Sequence, residues 1–268
     1  MSTPAVKRSA FRALHTQGCF VLPNPWDVGS ARMLEHLGFL ALASTSSGFA
    51  WTHGRADYKV ARADVLAHLA ELSAAVSVPI NADFESGFAN DPDGVAESVQ
   101  LAIEAGVSGL SIEDRDLEGR RLYDLPAALD RLRAARRTIE ASGTDTILVA
   151  RTELLLDDPT QVTTAIDKLV AFAGAGADCL YAPGVRKPED IRAMARAVAP
   201  KPLNVLAFDP ATTLAEYADL GVRRISVGGG LAKIGWAAVV AAAREFQAGS
   251  FAALGQGMPS RDLNGVFV

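Results

Sequence analysis

The sequence predicts an α/β protein of the (β/α)8 TIM-barrel class, with an N-terminal helix before the barrel and a long C-terminal helix after it. Three observations predict it. Eight short apolar runs alternate with eight segments of helical spacing. The runs are near-continuously apolar, as strands become when both faces are buried. The length, 268 residues, is close to that of one such barrel. The count of eight, and the lack of a Gly-x-Gly-x-x-Gly after the first strand, exclude a doubly wound sheet. Residues 1–268 are read as a single domain.

The elements follow in order. Residues 4–16 form a short helix. Phe20–Pro23 is the first strand, and Asp27 caps a helix to Leu37 with apolar residues at 28, 31, 34 and 37. Phe39–Ala43 is the second strand, closed by Ser44–Gly48, and a loop runs from Phe49 to Lys59. A helix over 62–76 leads to a third strand, Val78–Asp83. Pro92 suits the first turn of a helix reaching Ala105. Gly109–Glu113 is a strand, 124–142 a helix with an Arg-rich outer face, and Thr146–Arg151 a strand. Then come a helix over 159–174, strand Asp178–Ala182, helix 188–198, strand Pro202–Leu206, helix 211–220, strand Arg224–Val227 and a helix over 231–247. Gly106, Gly176 and Gly221 each read as a helix C-cap leading into the next strand. The tail from Gly249 to Val268 lacks clear periodicity.

Composition narrows the function. A net charge of −5 without a Lys/Arg stripe argues against a nucleic-acid surface. No apolar run is long enough to span a bilayer, and no apolar signal core follows the basic residues of segment 1–12, so a cytoplasmic protein is expected. Cys19 and Cys179 fall on strand-like segments and read as small buried hydrophobes rather than a disulfide or zinc pair.

Barrel chemistry sits at the C-terminal ends of strands. Those ends carry Asn24; Thr45, Ser46 and Ser47; Asp83 and Glu85; Glu113 and Asp114; Arg151; Tyr181 and Pro183; Asn204; and Ser226 with Gly228. If the third strand continues to residue 85, Asp83 and Glu85 share a face. Adjacent carboxylates repel unless a cation or proton lies between them. Oxygen donors with no nearby His or Cys suit a hard cation, Mg²⁺ or Mn²⁺. Such an ion facing Arg151 suits a small carboxylate substrate of the 2-oxo acid kind, with Arg151 gripping a carboxylate bidentately. The alternative is an internal ion pair of Arg151 with Glu113 or Asp83 that binds nothing.

These residues carry a resemblance. Thr45-Ser-Ser-Gly48, Asn81-Ala-Asp-Phe-Glu-Ser-Gly87, Gly109-Leu-Ser-Ile-Glu-Asp114, Ala150-Arg-Thr152 and Pro202-Leu-Asn-Val-Leu206, in this order, resemble the isocitrate lyase / phosphoenolpyruvate mutase superfamily over nearly the whole chain. The resemblance implies a last helix exchanged between subunits and a homo-oligomer, dimer or tetramer. It implies Mg²⁺ near Asp83, Glu85 and Glu113, with Asp57 behind them. It also implies a substrate carboxylate on Ser46, Ser47 and Gly48, with Arg151 at the substrate's other end. Arg151, Asp57 and Glu113 are then the catalytic residues, and Thr45 and Asn204 join the substrate-binding set.

Three departures matter. Glu85 stands where many members have Asp. Residues 115–123, Arg-Asp-Leu-Glu-Gly-Arg-Arg-Leu-Tyr, lack the Lys-(Lys/Arg)-Cys-Gly-His loop of the superfamily's C–C lyases. They also lack the Lys-Xaa-Asn-Ser lid of the phosphonate mutases, and Tyr181-Ala-Pro-Gly184 replaces the mutase His. The expected activity is a Mg²⁺-dependent lyase that cleaves a C–C bond, including by decarboxylation, in a small 2-oxo or 2-hydroxy dicarboxylate through an enolate held by the metal. The alternatives are C–P chemistry of the phosphoenolpyruvate mutase or phosphonopyruvate hydrolase kind, and a barrel that binds a 2-oxo acid with little turnover. Arg120, Arg121 and Tyr123 are candidates for a short lid. His53 is a candidate acid or base, and Tyr58 reads as a packing residue.

Overall fold

The computed structural model describes residues 2–267. Eight parallel strands form the barrel: β1 (Phe20–Leu22), β2 (Leu42–Ala43), β3 (Ile80–Asp83), β4 (Gly109–Glu113), β5 (Ile147–Arg151), β6 (Cys179–Tyr181), β7 (Leu203–Leu206) and β8 (Arg224–Ser226). They pair in the order β1-β8-β7-β6-β5-β4-β3-β2. The seam between β1 and β2 carries a hydrogen bond from Ala43 N–H to Pro23 O at 3.0 Å, which brings the ring nearly to closure.

The helices are α1 (Pro4–Leu14), α2 (Val28–His36), α3 (Ser46–Thr52), α4 (Arg62–Ala75), α5 (Pro92–Glu104), α6 (Leu125–Ala141), α7 (Leu154–Asp157), α8 (Val162–Gly174), α9 (Pro188–Val198), α10 (Leu214–Asp219), α11 (Gly230–Gln247) and α12 (Ser260–Val266). Several start where a side chain satisfies the first-turn donors. Asp27 and Ser30 form a capping box at α2, and Thr213 and Glu216 form another at α10. Asp91 and Asp124 cap α5 and α6, each followed within two residues by proline.

Helix α1 closes the N-terminal end of the barrel. Phe11 is fully buried against Leu22, Ala41, Ile147, Val149 and Cys179. Lys7 Nζ donates to the carbonyls of Ser73 and Val76 at 2.6 and 2.5 Å, where α4 ends. Arg8 donates to Val107 O at 3.0 Å and Ile103 O at 2.7 Å, where α5 ends. Two cations thus satisfy carbonyls that the helices leave without partners. Gly109 begins β4 against this plug. A Cβ there would stand 2.7 Å from Phe11 Cε1 and 2.8 Å from Asn81 Oδ1, so only glycine fits.

The barrel interior is polar below its mouth. Arg224 is buried, and its Nε donates to Asn204 Oδ1 at 2.8 Å. Asn204 Nδ2 in turn donates to Ser226 Oγ at 3.0 Å.

Several segments differ from the sequence reading, among them the short α7, for which no helix is expected. The closing turn and loop after β2 contain α3, a helix too short to show a period. Arg131, on the supposed outer face of α6, is 1 % exposed and donates to Ala89 O at 2.5 Å and to Ser86 O. The tail holds a 3₁₀ turn at Ala252–Gln256 and α12. Helix α11 lies where the sequence places a helix; in it Ala232 is the buried residue, while Ile234, Trp236, Val239 and Val240 are exposed. No helix of the described residues is long and apolar enough to cross a membrane.

Candidate active site

The strand register sets the site. Glu113 at the end of β4 lies beside Arg151 at the end of β5, and Arg151 lies beside Tyr181 at the end of β6. Asp83 ends β3. The Arg151 guanidinium donates through Nη1 to Asp83 Oδ1 at 3.1 Å and through Nε to Glu153, and lies 3.5 Å from Glu113 Oε2. Both ion pairs considered from the sequence, to Asp83 and to Glu113, are therefore present. The Tyr181 ring lies 5.2 Å from the guanidinium carbon.

The other oxygen of Asp83 accepts both the N–H and the hydroxyl of Ser46 at 3.0 Å. Ser46 opens α3, whose N-cap Thr45 accepts from Gly48 N–H at 3.2 Å. Ser47 Oγ lies 3.2 Å from Thr45 Oγ1. Gly48 has no room for a side chain, since a Cβ would meet Thr45 Cγ2 at 2.5 Å and Trp26 Cβ at 3.0 Å.

Strand alternation does not bring Glu85 to Asp83. The strand ends at Asp83, and Glu85 takes φ +46°, followed by Gly87 at +75° and Phe88 at +54°. Two non-glycine residues in this region are costly and persist only where the surroundings enforce them. Arg131 does so by binding the Ser86 and Ala89 carbonyls, and Glu113 N–H donates to Glu85 O at 2.9 Å.

Burial and crowding act on the acids together. Burial, then the charges of Asp83 and Asp57, push the Glu85 carboxyl up to about 8. Burial and Asp83 also raise Asp57, against a hydrogen bond from Ser46. Burial and Glu153 raise Glu113 well above the usual range, against the pull of Arg151. Burial alone would lower Arg151, but Glu153, Glu113 and Asp83 hold it firmly protonated. Arg151 is the cation that Asp83, Glu113 and Glu153 share. All the donors are oxygen, so the chemistry of the set fits a hard divalent ion. Among the described residues no three His, Cys, Asp or Glu side chains already form a cage. An ion here would keep several waters, as Mg²⁺ does.

The structure thus gathers Ser46, Asp57, Asp83, Glu85, Glu113 and Arg151, with Thr45, Ser47 and Gly48 beside them. Asn204 is committed one layer down, between Arg224 and Ser226. Asp114 turns away, accepting from Thr152 Oγ1 at 2.7 Å and Lys168 Nζ at 2.5 Å. His53 is exposed, its ring edge-on to Phe49. Two site residues escaped the sequence reading. Glu153 is 2 % exposed on Arg151; its signal was an acid two residues past a strand-end arginine. Tyr58, with φ +60°, donates its hydroxyl to Glu113 Oε1 at 2.5 Å, and nothing in a loop sequence announces that.

Comparison with known proteins shows the family and the fold. A crystal structure from Burkholderia cenocepacia J2315, provisionally named a lyase/mutase, superposes with a TM-score of 0.95 at 42% identity, covering 98% of this chain and 97% of that one. The structure of oxaloacetate acetylhydrolase in complex with its product oxalate superposes with a TM-score of 0.88 at 26% identity, covering 100% and 95%. An oxaloacetate decarboxylase of Rhodopseudomonas palustris (strain BisB5) is 27% identical over 267 residues, 97% of this chain and 89% of its own. The phosphoenolpyruvate phosphomutase family model matches residues 11–247. The chain therefore belongs to the phosphoenolpyruvate phosphomutase family, within the isocitrate lyase / phosphoenolpyruvate mutase superfamily.

Proposed function

We propose that the protein is a Mg²⁺-dependent carbon–carbon lyase acting on a small 2-oxo dicarboxylate of the oxaloacetate type. The observation that carries the reading is that buried Glu85, Glu113 and Glu153 converge with Asp83, more carboxylates than the Arg151 guanidinium they share can neutralise. Relatives that act on oxaloacetate, by name, over nearly the whole chain support the substrate class.

Asp83, Glu85 and Glu113 would hold the ion, directly or through water, with Asp57 behind them. A bound divalent ion supplies Lewis-acid stabilisation of the negative charge that develops on a keto oxygen when the adjacent C–C bond breaks. Arg151 would present its guanidinium to a substrate carboxylate, and the Thr45–Gly48 turn would receive the other carboxylate on its hydroxyls and N–H groups. Ser46 fixes Asp83, so the turn that touches substrate also orients a metal-side carboxylate. No cysteine stands in residues 115–123, so the proton that completes the product comes from water or a loop residue.

The test is a Mg²⁺-supplemented panel of 2-oxo acids, 2-hydroxy dicarboxylates and phosphonopyruvate, read by proton and phosphorus NMR. Carbon–carbon cleavage of an oxaloacetate-type acid that disappears in Asp83→Ala supports the reading. Cleavage that survives Asp83→Ala sinks the site assignment. Turnover of phosphonopyruvate alone favours C–P chemistry, the reading to which the matched family's description points. We also propose that the exposed apolar face of α11 packs on a second copy of the chain. Light scattering after gel filtration reads this directly, and a monomer at micromolar concentration would refute it.

A further inference from the structure

The hairpin that leaves the site returns to it through one tyrosine. Directly after Glu113 and Asp114 the chain folds back, with Arg115 bridged to Leu122 and Tyr123 N–H bonded to Asp114 O at 2.7 Å. Its turn is closed internally. Asp116 N–H donates to Arg121 O, and Gly119 N–H to Asp116 O, each at 2.8 Å; Arg120 N–H donates to Asp116 Oδ1 at 2.8 Å. Its base is anchored by Arg115 on Asp157 at 2.7 Å. A cleft of about 550 Å³ is lined by residues 116–118, 120, 121 and 123 together with Asn90, and the Tyr123 hydroxyl donates to Asn90 Oδ1 at 2.8 Å.

The tip makes one intimate contact. Gly119, at φ +71°, lies so close to the Tyr58 ring that a Cβ would stand 2.9 Å from Cγ and Cδ2. Tyr58 itself holds a left-handed backbone, and its hydroxyl reaches Glu113 Oε1 at 2.5 Å. Glu113, the hairpin, Gly119 and Tyr58 therefore form a closed circuit.

We infer that Tyr58 is a positioning residue that couples the 115–123 hairpin to the Glu113 carboxylate, so that displacing either one loosens the other. The ring supports the hairpin tip and the hydroxyl orients Glu113. A left-handed tyrosine persists only where its surroundings enforce it, and the contacts at its ring and at its hydroxyl are two such constraints. The coupling requires only that Glu113 belongs to the site, and it stands whichever acid or phosphonate the enzyme turns over.

The experiment is amide hydrogen exchange by mass spectrometry on the full chain, which needs no substrate. The amides of Asp116, Gly119 and Arg120 are hydrogen-bonded, so their exchange reports hairpin opening. Tyr58→Phe keeps the ring under Gly119 but cuts the link to Glu113. Glu113→Leu removes the acceptor without touching the tip. Each is expected to speed exchange of residues 116–121 by about tenfold, the loss of one hydrogen bond. The double variant should be no faster than either single one. Peptides from 147–151 serve as the control for the barrel. If Glu113→Leu opens the barrel as well, Glu113→Gln keeps the shape and weakens the acceptor, and a smaller rise confined to the hairpin is expected. Unchanged exchange in Glu113→Gln and Tyr58→Phe overturns the inference. So does a rise in Tyr58→Phe alone, or additive rises in the double variant.

Discussion

Arg151 and Asp83 meet across the barrel mouth with Nη1 3.1 Å from Oδ1, and the second oxygen of that carboxylate is taken by Ser46. One carboxylate thus joins the ends of β3 and β5 to the start of α3. Removing it in Asp83→Ala leaves Arg151 its partners Glu113 and Glu153, so the guanidinium is not orphaned. A stability loss of only about 1–2 kcal/mol is expected, read from urea midpoints. The activity loss should be far larger, about a hundredfold or more in kcat/KM. Equal fractional effects on stability and turnover would reduce Asp83 to a packing residue.

Arg151→Lys tests the fork. Nε and Nη1 serve different carboxylates at once, and an ammonium group on a flexible stem cannot reproduce that geometry. The expected result is a folded protein with kcat/KM down by about a hundredfold. Steady-state kinetics on whichever acid the panel identifies provides the measurement, and near-wild-type kinetics would show that charge alone suffices.

Arg131 holds the left-handed turn after β3 from beneath. Arg131→Met keeps the aliphatic bulk but frees the Ser86 and Ala89 carbonyls. A loss of about 2–3 kcal/mol is expected by denaturant titration. The Glu85 carboxylate should also lose its fixed place, so kcat should fall while Asp83 and Arg151 remain intact.

On mild acidification His15 and His68 should each withdraw stability, while the raised carboxyls of Glu85 and Glu113 act in the opposite direction. Burial, followed by Arg224, drops His15 to about 3, while burial drops His68 to about 4; the ordinary value is 6.5. Below pH 6.5 the unfolded chain takes up these protons and the folded chain does not. The stability they contribute is therefore complete above pH 6.5 and is lost as pH falls towards 4. The slope is at most about 1.4 kcal/mol per pH unit for each histidine. His68 stacks on Phe49 at 3.8 Å, and its Nε2 has no hydrogen-bond partner. His68→Phe should keep the stack, remove that unpaired nitrogen and raise the urea midpoint at pH 5 relative to that at pH 7, compared with the parent protein. An unchanged slope would assign the acid sensitivity elsewhere.

The sequence by itself determined the barrel, because strands buried on both faces leave continuous apolar runs and capped helices leave Asp, Pro and Gly at their ends. It also placed Asp83, Glu113 and Arg151 at strand termini, where the fold puts its chemistry. Their neighbours were decided by tertiary structure. Glu85 reaches the site through a left-handed turn that Arg131 enforces from a helix more than forty residues away, and period-two alternation cannot describe such a turn. Tyr58 and Glu153 join because long-range packing, which carries no local pattern, aims them at Glu113 and Arg151. Asn204 is the second residue of β7 and lies below the mouth, where its amide oxygen accepts from buried Arg224. Local spacing reports which face a residue occupies; which partner satisfies a buried charge is settled only when distant segments are brought into contact.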